Sequence, residues 1–451
     1  MKKRIYINDS IHGLITLSEY EKKIISSIGF NRLHDVYQNS TVYLTFPSNR
    51  TKRFEHSIGT MKLCSDMFFY SVLNSNKKTL EEFYKFYEVE CIKVIEQISK
   101  DTALCTLKLG GRAPKEMKVP DIDFDRFENS LTPYNIPLVY RNLHFLLIQS
   151  IRAAALLHDI GHPPFSYIVE NSLKNVYKKY ETYNNNNPKI QNYVNIKKNY
   201  FGNNRKLHEK MGDEISASIL REIIQALDDD NTYETQKYNE VLCELICYKI
   251  VEKIFTAKEG EAFYDIHSII DGSLDGDRLD YVTRDSVNSG INNGKIDYNR
   301  IINDMRLNFT DNIANFCVPL KAINSIEDFI KRRYNIYKNI IYHHRVIKTD
   351  FLLENVVEKI VEDYLNDNSN ETNINYDLIP YNISGLWFPL GDSTDFEKST
   401  TLSQWNDSWL MTVLKQEYYM KYIHFNVDDK VLSGALCSGQ TSHSFLFKEV
   451  I

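Results

Sequence analysis

The chain has 451 residues, of which 43% are hydrophobic and 25% charged, and its formal net charge is −6. This composition is typical of a globular protein with a sizeable core, and it excludes wholesale disorder, collagen-like repeats and a small disulfide scaffold. The negative charge makes nucleic acid an unexpected partner. No run of about 18 apolar residues is present, so no membrane span is expected. The seven cysteines include no CxxC pair, which favours a reducing compartment and a cytoplasmic location.

The predicted elements are mostly helical. Two apolar runs that flank a polar turn predict a β-hairpin over residues 5–17. Hydrophobic periodicity predicts four helices, over residues 51–73, 143–159, 325–365 and 402–418. The first should begin with Thr51 as its N-cap, and the second is apolar on nearly all sides, so we expect it to be buried. The predicted fold class is therefore mainly α, with a short N-terminal β-hairpin and a mixed α/β C-terminal region.

Two stretches between the helical patterns are interpreted as insertions. Residues 74–145 mix charged residues with a Gly-Gly pair, and we interpret them as a subdomain or a partner surface. Residues 174–206 belong to an Asn-rich stretch that, up to residue 210, holds nine Lys or Arg against two Glu. We expect this stretch to be a solvated, partly mobile loop, although a positive segment beside an anion site could also attract nucleotides.

An imidazole and a carboxylate stand side by side near the end of the buried helix, in the segment RAAALLHDIGHPPFSYIVE that begins at residue 152. The helix is expected to stop after His158 and Asp159, because Gly161 and the two prolines that follow His162 oppose its continuation. Polar groups that are buried together need a partner. A divalent cation is one such partner, since it accepts both nitrogen and oxygen ligands. The alternative is a His–Asp pair that is hydrogen-bonded and purely structural.

Further ligands for a cation are available elsewhere in the chain. His56 stands near the start of the first predicted helix, whose apolar face must be buried. In the segment DRLDYVTRD, helical geometry places three side chains within about 80° of one another: Asp277, Tyr281 and Asp285. Two acids and an aromatic on one face suit a ligand site, and the alternative is a solvated acidic face. Asp280 and Arg284 form an i,i+4 pair that points elsewhere, and we interpret the pair as structural.

Five sequence blocks around these residues resemble the HD-domain metal-dependent phosphohydrolases and, more narrowly, the deoxynucleoside triphosphate triphosphohydrolases. The blocks are NDSIHG at 8–13, FNRLHDVYQ at 30–38, FPSNRTKRFEHSIG at 46–59, LLHDIGHPPFSY at 156–167 and DRLDYVTRD at 277–285. The resemblance implies an HD-domain helical bundle. It places the catalytic domain at residues 1–350, with both insertions inside it, and a C-terminal region at 351–451 that packs on the core or at an oligomer interface.

The resemblance also implies roles for the matching residues. One divalent metal, Mg, Mn, Fe or Zn, would be held by His56, His158, Asp159 and Asp277. Proton transfer to the leaving group would fall to His208, with Glu170 as its orienting carboxylate, and His162 would contact the phosphates. Phosphate charge would be neutralised by Arg53, Arg278 and Lys338. The sugar would be bound by Gln38, Tyr281, Asp285 and Tyr342, with the tyrosine rings excluding a 2′-hydroxyl.

The activity that the resemblance implies is hydrolysis of dNTPs to deoxynucleoside and inorganic triphosphate. It would be carried out by a homo-oligomer, a dimer or tetramer, with regulatory nucleotides at subunit interfaces, and would control dNTP pools or limit phage replication. One departure is Tyr167, which stands where the family often has a second His, so catalysis should depend more on His208. Two alternatives stay open: a phosphodiesterase or nuclease acting on cyclic or oligonucleotide substrates, and a catalytically silent nucleotide sensor.

Overall fold

A computed structural model describes residues 4–423 except 103–104, 106–108, 110–112, 115, 183–186, 202–205, 226–234, 292–297, 368–381, 388 and 390–401. Two antiparallel hairpins are formed by β1 (Ile5–Asp9) with β2 (Gly13–Leu17) and by β3 (Arg306–Thr310) with β4 (Ile313–Cys317). The other elements in the described ranges are helical: α1 Glu19–Ile25, α2 Ile28–Asn31, α3 Arg53–Leu73, α4 Lys77–Lys100, α5 Arg126–Ser130, α6 Arg141–Leu157, α7 Tyr167–Tyr180, α8 Pro188–Phe201, α9 Leu207–Gln225, α10 Thr235–Thr256, α11 Tyr264–His267, α12 Gly276–Asn288, α13 Tyr298–Asn303, α14 Ile323–Ile336, α15 His344–Asn366 and α16 Asp407–Glu417, with π-helical turns at Tyr337–Ile341 and Tyr418–Ile423. The predicted mainly α fold class and the N-terminal hairpin are confirmed.

Helices α3, α6 and α12 form the centre of the molecule. Helix α3 packs against both α6 and α12, and α10 covers another side of α6. Every residue of α6 from Leu146 to Leu157 is buried, as its apolar sequence predicts. One of them, Arg152, is compensated by the buried carboxylate of Glu21 at 2.5 Å. Because the last three turns of α6 are buried, the residues that follow them enter the interior of the protein.

The helix boundaries correct two details of the sequence analysis. Helix α3 begins at Arg53, and Lys52 occupies the N-cap position without a side-chain cap, so the prediction of Thr51 as N-cap is wrong. The Thr51 hydroxyl instead accepts a hydrogen bond from Asn288 Nδ2 at 2.6 Å. The long pattern over 325–365 is helical but is divided into α14, a π-helical turn and α15.

Both predicted insertions contribute helices to the packed interior. One side of α4 is buried against α6, α10 and β3, and its buried residues are Leu80, Phe83, Tyr84, Tyr87, Cys91, Val94, Ile95 and Ile98. The prediction of a solvated loop over 174–206 is wrong for the described part of that stretch. It is helical in α7 and α8, and α8 buries Tyr193 and Lys197.

The predicted boundary between residues 350 and 351 falls inside α15, and the division of the chain into two parts stays a prediction. In the predicted mixed C-terminal region, the elements within the described ranges are helical, and residues 368–381, 390–401 and 424–451 lie outside those ranges. The predicted helix at 402–418 corresponds to α16, which Asn406 caps through its side chain. None of the described helices combines the length and apolarity that crossing a membrane requires.

Candidate metal centre

The four predicted metal ligands converge from three separate elements. His56 comes from the first turn of α3, Asp277 from the first turn of α12, and the pair at 158–159 directly follows α6. Ligand atoms of His56, His158 and Asp277 all lie within 4.8 Å of one another. The fourth group, Asp159, places Oδ2 at 3.5 Å from His56 Nε2 and 3.7 Å from His158 Nε2. The set of two nitrogen and two oxygen donors suits a divalent cation.

Both imidazoles present the same nitrogen to this cluster. His158 Nδ1 donates to the carbonyl of Ala155 at 2.7 Å, and His56 Nδ1 donates to Asp280 Oδ2 at 2.7 Å. Nε2 is therefore the atom of each ring that can bind a metal through its lone pair. Both Nε2 atoms are buried, and those of His56 and His158 lie 2.8 Å and 3.6 Å from Asp277 Oδ1. Two buried imidazole nitrogens beside two carboxylates fit a bound cation, because the cation would satisfy all four groups.

The electrostatics of the cluster favour added positive charge. Burial by itself lowers the pKa of His56, but hydrogen bonds to Asp277 and Asp280 outweigh it and raise that pKa to about 10. Burial would raise the pKa of Asp277, but the two histidines hold it at about 2. The pKa of Asp159 lies well below its usual value, since Arg53 and the neighbouring imidazoles outweigh its burial. Protons and a metal cation thus compete for the same electronegative cavity.

Asp280 is part of the metal centre, which corrects the prediction that it points elsewhere. Its ion pair with Arg284 is present, with Arg284 Nη2 at 2.8 Å from Asp280 Oδ1. Its carboxylate also accepts from His56 and lies 2.6 Å from His12 Nε2 in the turn between β1 and β2. Helix α3 approaches so closely that a Cβ on Gly59 would lie 2.0 Å from Asp280 Oδ1. Asp280 therefore orients the ring of His56 through Nδ1, the nitrogen that faces away from the cluster, and His12 of the N-terminal hairpin contacts Asp280 in turn.

Arg53 links the metal cluster to the turn that follows it. Its guanidinium is buried, contacts Asp159 Oδ2, and donates from Nη2 to Ser166 Oγ at 2.9 Å. His162 lies on the other side of Asp159, with Nε2 at 3.2 Å from Oδ1. Burial and the charges of Arg53 and His208 lower the pKa of His162 well below its usual value, so this imidazole is neutral near pH 7.

The predicted dyad of His208 and Glu170 is formed, with His208 Nδ1 at 2.7 Å from Glu170 Oε2. The second carboxylate oxygen accepts the backbone N–H of Leu207 at 2.9 Å, which fixes the first turn of α9 to α7. The hydrogen bond from His208 lowers the pKa of Glu170 against the opposing effect of burial. His208 stacks on His162 with ring centroids 4.2 Å apart, and the Tyr167 ring meets His208 edge-on at 5.3 Å. Burial raises the pKa of the Tyr167 phenol to about 12, so it stays protonated at neutral pH.

One cleft of about 1060 Å³ joins these groups to most of the predicted sugar and phosphate contacts. The predicted residues that line it are Gln38, Arg53, His158, Asp159, His162, His208, Asp277, Arg278, Tyr281, Asp285 and Tyr342. Gln38 Oε1 and Asp285 Oδ1 are buried and find no hydrogen-bond partner in the part of the chain that the structure describes. Burial raises the pKa of Asp285 to about 6. The hydroxyl of Tyr281 accepts from Arg333 Nε at 2.9 Å, while Tyr342 is 62% exposed at the break between the π-helical turn and α15.

Two predicted phosphate contacts are less directly placed. Arg278 lines the cleft, but its guanidinium contacts the carboxylate of Asp275 and the carbonyl of Gly272. Lys338 lies outside the lining of the cleft, in an adjoining groove that it shares with Tyr334 and with the cleft residue Arg333. Arg53 is thus the predicted cation with the most direct connection to the metal cluster.

Known proteins resemble this chain over most of its length. It is 25% identical over 363 residues to a protein of Acanthamoeba polyphaga mimivirus described as HD domain-containing, a match that covers 80% of this chain and 58% of that protein. It is 22% identical over 343 residues to a deoxynucleoside triphosphate triphosphohydrolase SAMHD1 homolog of Dictyostelium discoideum, covering 76% and 46%. The Homo sapiens protein SAMHD1, also named a deoxynucleoside triphosphate triphosphohydrolase, is 22% identical over 342 residues, covering 75% and 42%.

The chain is thus similar to HD-domain and dNTPase-like proteins at 22–25% identity. It spans about half the length of the curated relatives that it matches. No family model matches the chain.

Around the candidate metal cluster, two supporting residues were missed by the reasoning from sequence. Asp280 was assigned to another face because only its partner Arg284 was considered, although it lies one turn after Asp277 on the same helix. Ser166 was not singled out, but its hydroxyl is the acceptor that holds Arg53. Its position, within the block that carries the His–Asp pair, was the available signal. Asp280 contacts the predicted ligand His56, and Ser166 contacts the predicted phosphate-binding residue Arg53, so only the folded geometry reveals them.

Proposed function

We propose that this chain is a metal-dependent hydrolase that converts deoxynucleoside triphosphates to deoxynucleoside and inorganic triphosphate. The observation that carries the proposal is the convergence of an N2O2 cluster, an imidazole–carboxylate dyad and two unpartnered oxygen acceptors in one cleft. The relatives named as deoxynucleoside triphosphate triphosphohydrolases support the choice of substrate. Regulation by nucleotides, assembly into a dimer or tetramer, and a role in dNTP pools or against phage are parts of the same proposal.

In this proposal His56, His158, Asp159 and Asp277 hold one divalent cation, which when bound polarises a phosphoryl oxygen and lowers the pKa of water. Arg53 holds Asp159 in place and adds a fixed positive charge beside the phosphates. Its contact with Ser166 Oγ limits its movement. The donor set is compatible with Mg, Mn, Fe or Zn.

His208 is the group proposed to deliver a proton to the leaving nucleoside oxygen. Glu170 accepts from Nδ1, so Nε2 is the atom that reaches the substrate, and the carboxylate stabilises the imidazolium. The stacked ring of His162 stays neutral because burial lowers its pKa, and the positive charges of Arg53 and of His208, whose ring centroid is 4.2 Å away, lower it further. Tyr167 keeps its proton at neutral pH and acts only as a hydrogen-bond donor or acceptor.

Selection for a deoxyribose is proposed to come from acceptors and rings on α12 and in the loop before α3. The unpartnered oxygens of Gln38 and Asp285 are free to accept a sugar hydroxyl. Arg333 fixes the ring of Tyr281 through its hydroxyl, which limits the room beside the sugar. A 2′-hydroxyl that meets a fixed ring without a partner is penalised, whereas a hydroxyl that satisfies a buried acceptor is favoured.

Product analysis tests this proposal. The purified protein is incubated with each of the four dNTPs and four NTPs, singly and mixed, with Mg²⁺ or Mn²⁺, and the products are separated by chromatography. We expect deoxynucleoside together with intact triphosphate, and little cleavage of ribonucleotides. Stepwise release of phosphate, or equal cleavage of NTPs and dNTPs, would instead support a general phosphatase or a phosphodiesterase.

A pair of variants distinguishes turnover at the proposed metal site from turnover by a contaminating enzyme. His158→Ala removes a predicted ligand and should abolish turnover. His344→Ala changes an exposed histidine at the start of α15 that does not line the cleft, so it should keep full activity. Activity that survives in His158→Ala would rule out the proposed centre as its source. No product under any condition, with metal bound, would favour a nucleotide sensor.

A further inference from the structure

The start of α16 lies behind the candidate active site. Asp407, its first residue, is 2% exposed, and its carboxylate bridges two loops that are distant in sequence. Oδ1 accepts the backbone N–H of Phe165 at 2.7 Å, and Oδ2 accepts the backbone N–H of Tyr37 at 2.8 Å. One loop carries Ser166 next to Phe165, and the other carries Gln38 next to Tyr37. One side chain from the C-terminal region thus joins the turn that follows the metal ligands to the loop of a predicted sugar contact.

The turn that Asp407 holds has a backbone conformation that non-glycine residues rarely adopt. Phe165 and Ser166 have φ of 52° and 51°, and Ser40, which donates from Oγ to the carbonyl of Phe165 at 2.9 Å, has φ of 42°. Such conformations persist only where surrounding contacts impose them, and they are concentrated at functional sites. Here the Asp407 carboxylate accepts from the backbone N–H of Phe165, and the Ser40 hydroxyl donates to its carbonyl. Both backbone polar groups of Phe165 are therefore held by hydrogen bonds.

The consequence of this conformation is the position of Arg53. Ser166 Oγ accepts from Arg53 Nη2 at 2.9 Å and from Nε at 3.2 Å, and the Arg53 side chain then reaches Asp159. If the turn relaxed to ordinary φ values, the Ser166 hydroxyl would move away from the guanidinium. Arg53 would then keep Asp159 but lose the contact that sets its direction toward the cleft.

A second buried contact ties the same C-terminal segment to the turn. Arg32, 2% exposed, donates from Nη1 to the carbonyl of Trp405 at 3.1 Å and from Nη2 to the carbonyl of His162 at 3.0 Å. Its guanidinium also lies over the Trp405 ring at 5.2 Å. Burial raises the pKa of Asp407 to about 6, so its carboxylate is ionised at neutral pH and both oxygens can accept. The nearby positive charges of Arg32, Lys52 and Arg53 favour that ionised form.

We propose that Asp407 is a positioning residue of the active site: it holds the strained Phe165–Ser166 turn so that Ser166 directs Arg53 at the phosphate groups of the substrate. The C-terminal region therefore completes the phosphate-binding side of the cleft. This inference rests on the proposed function for the identity of the substrate. The contacts of Asp407 itself, to the backbone N–H groups of Phe165 and Tyr37, involve neither the metal ligands nor the dyad.

The experiment compares three variants with the wild-type protein: Asp407→Asn, Asp407→Ala and Asn406→Ala. The amide of Asp407→Asn keeps one acceptor and loses the other, while Asp407→Ala loses both. Asn406→Ala is the matched control, because Asn406 Oδ1 caps the same helix at Trp409 N, and its side-chain hydrogen bonds within the described residues stay inside its own segment. All three should weaken the start of α16, but only the changes at residue 407 should release the turn.

Two readouts that do not depend on catalysis are used: hydrogen exchange at the amides of Phe165 and Tyr37, and the affinity for inorganic triphosphate measured by calorimetry. We expect Asp407→Ala to exchange at these amides about 10- to 100-fold faster, as the loss of a charged hydrogen bond implies. Its affinity for triphosphate should fall about tenfold or more, with Asp407→Asn intermediate and Asn406→Ala close to wild type. In turnover assays the loss should be mainly in KM, with the metal affinity unchanged.

Equal losses in Asn406→Ala and Asp407→Ala would overturn the proposal, because they would indicate a general weakening of α16. Wild-type triphosphate affinity in Asp407→Ala, or a wild-type protein that binds no triphosphate, would overturn it as well. If the wild-type protein binds triphosphate and the variants follow the expected order of affinity, but the wild type hydrolyses no dNTP, only the proposed function would be refuted.

Discussion

The close approach of α9 to the turn after α6 allows a sharp test of how His208 is positioned. Gly161 lies in that turn, and a Cβ built on it would meet the carbonyl oxygen of His208 at 2.1 Å and the backbone nitrogen of Gly212 at 2.2 Å. Both contacts are to backbone, which cannot rotate away as a flexible side chain can. The substitution Gly161→Ala must therefore displace the first turns of α9 relative to the metal ligands.

The size of the displacement follows from these distances. A comfortable contact requires about 3.4 Å, so α9 must move by more than 1 Å from the turn. A misplacement of about 1 Å at a reacting group typically costs about 10²-fold in rate. We therefore expect kcat for dNTP hydrolysis to fall about 100-fold. Stability should decrease by about 1–3 kcal/mol, the usual cost of overpacking.

Gly212→Ala is the matched control. It is the facing glycine in α9, yet a Cβ there would meet its nearest neighbour, Gly161 N, at an ordinary 3.8 Å. We expect full activity and a gain of about 0.5–1 kcal/mol in stability, because alanine is the better residue within a helix. Steady-state kinetics and urea unfolding measure both variants, and Mn²⁺ calorimetry checks that the metal affinity is retained. A Gly161→Ala protein with wild-type kcat would refute the argument that this contact positions His208.

Three further predictions concern the metal centre and the cleft. Asp280→Asn should weaken Mn²⁺ binding about 10- to 100-fold, because the amide keeps one acceptor oxygen and its NH2 group would replace the second, which accepts from His12 and Arg284 or from His56 and Arg284; unchanged calorimetry would contradict this. Asp285→Asn should raise the free energy of unfolding at pH 7 by up to about 3 kcal/mol, since burial raises the pKa of Asp285 from 3.8 to about 6. The folded protein binds that proton more tightly, so the gain should shrink as the pH falls from 6 and vanish near pH 4 in urea titrations; a gain that is independent of pH would refute it. When Mn²⁺ is added to chelator-treated protein at 100 times its Kd, it should raise the free energy of unfolding by about 2.7 kcal/mol. Thermal unfolding measures this rise, and His158→Ala should abolish it.

Local sequence was sufficient for the elements whose pattern and burial agree. The β1–β2 hairpin was predicted from two apolar runs around a polar turn, and α6 from its all-round apolarity, because each of these patterns corresponds to one structure. The prediction of a solvated loop over residues 174–206 was wrong because the composition of this stretch suggests solvation, whereas α8 buries Tyr193 and Lys197 against the rest of the fold. Periodicity reports which residues of a segment share a face, but it does not report whether another segment covers that face.

The candidate site divides in the same way. His56, His158, Asp159 and Asp277 could be selected from sequence, since residue type and the surrounding blocks identify donors for a cation. Asp280, Ser166 and Asp407, which hold site residues in position, could not be selected from sequence, because their partners are far away in the chain. Asp280 meets His56 across 224 positions, and Asp407 meets Phe165 across 242.

The sequence by itself determined the chemistry available to this protein: a buried helix that ends in His and Asp, further donors on two helices, and a mainly α fold. Tertiary structure decided which nitrogen of each imidazole faces the cluster, which cations reach the cleft, and that the C-terminal helix holds the turn behind the site. The physical reason is that donor identity is a property of single residues, whereas orientation depends on hydrogen bonds and steric contacts between segments that only folding brings together.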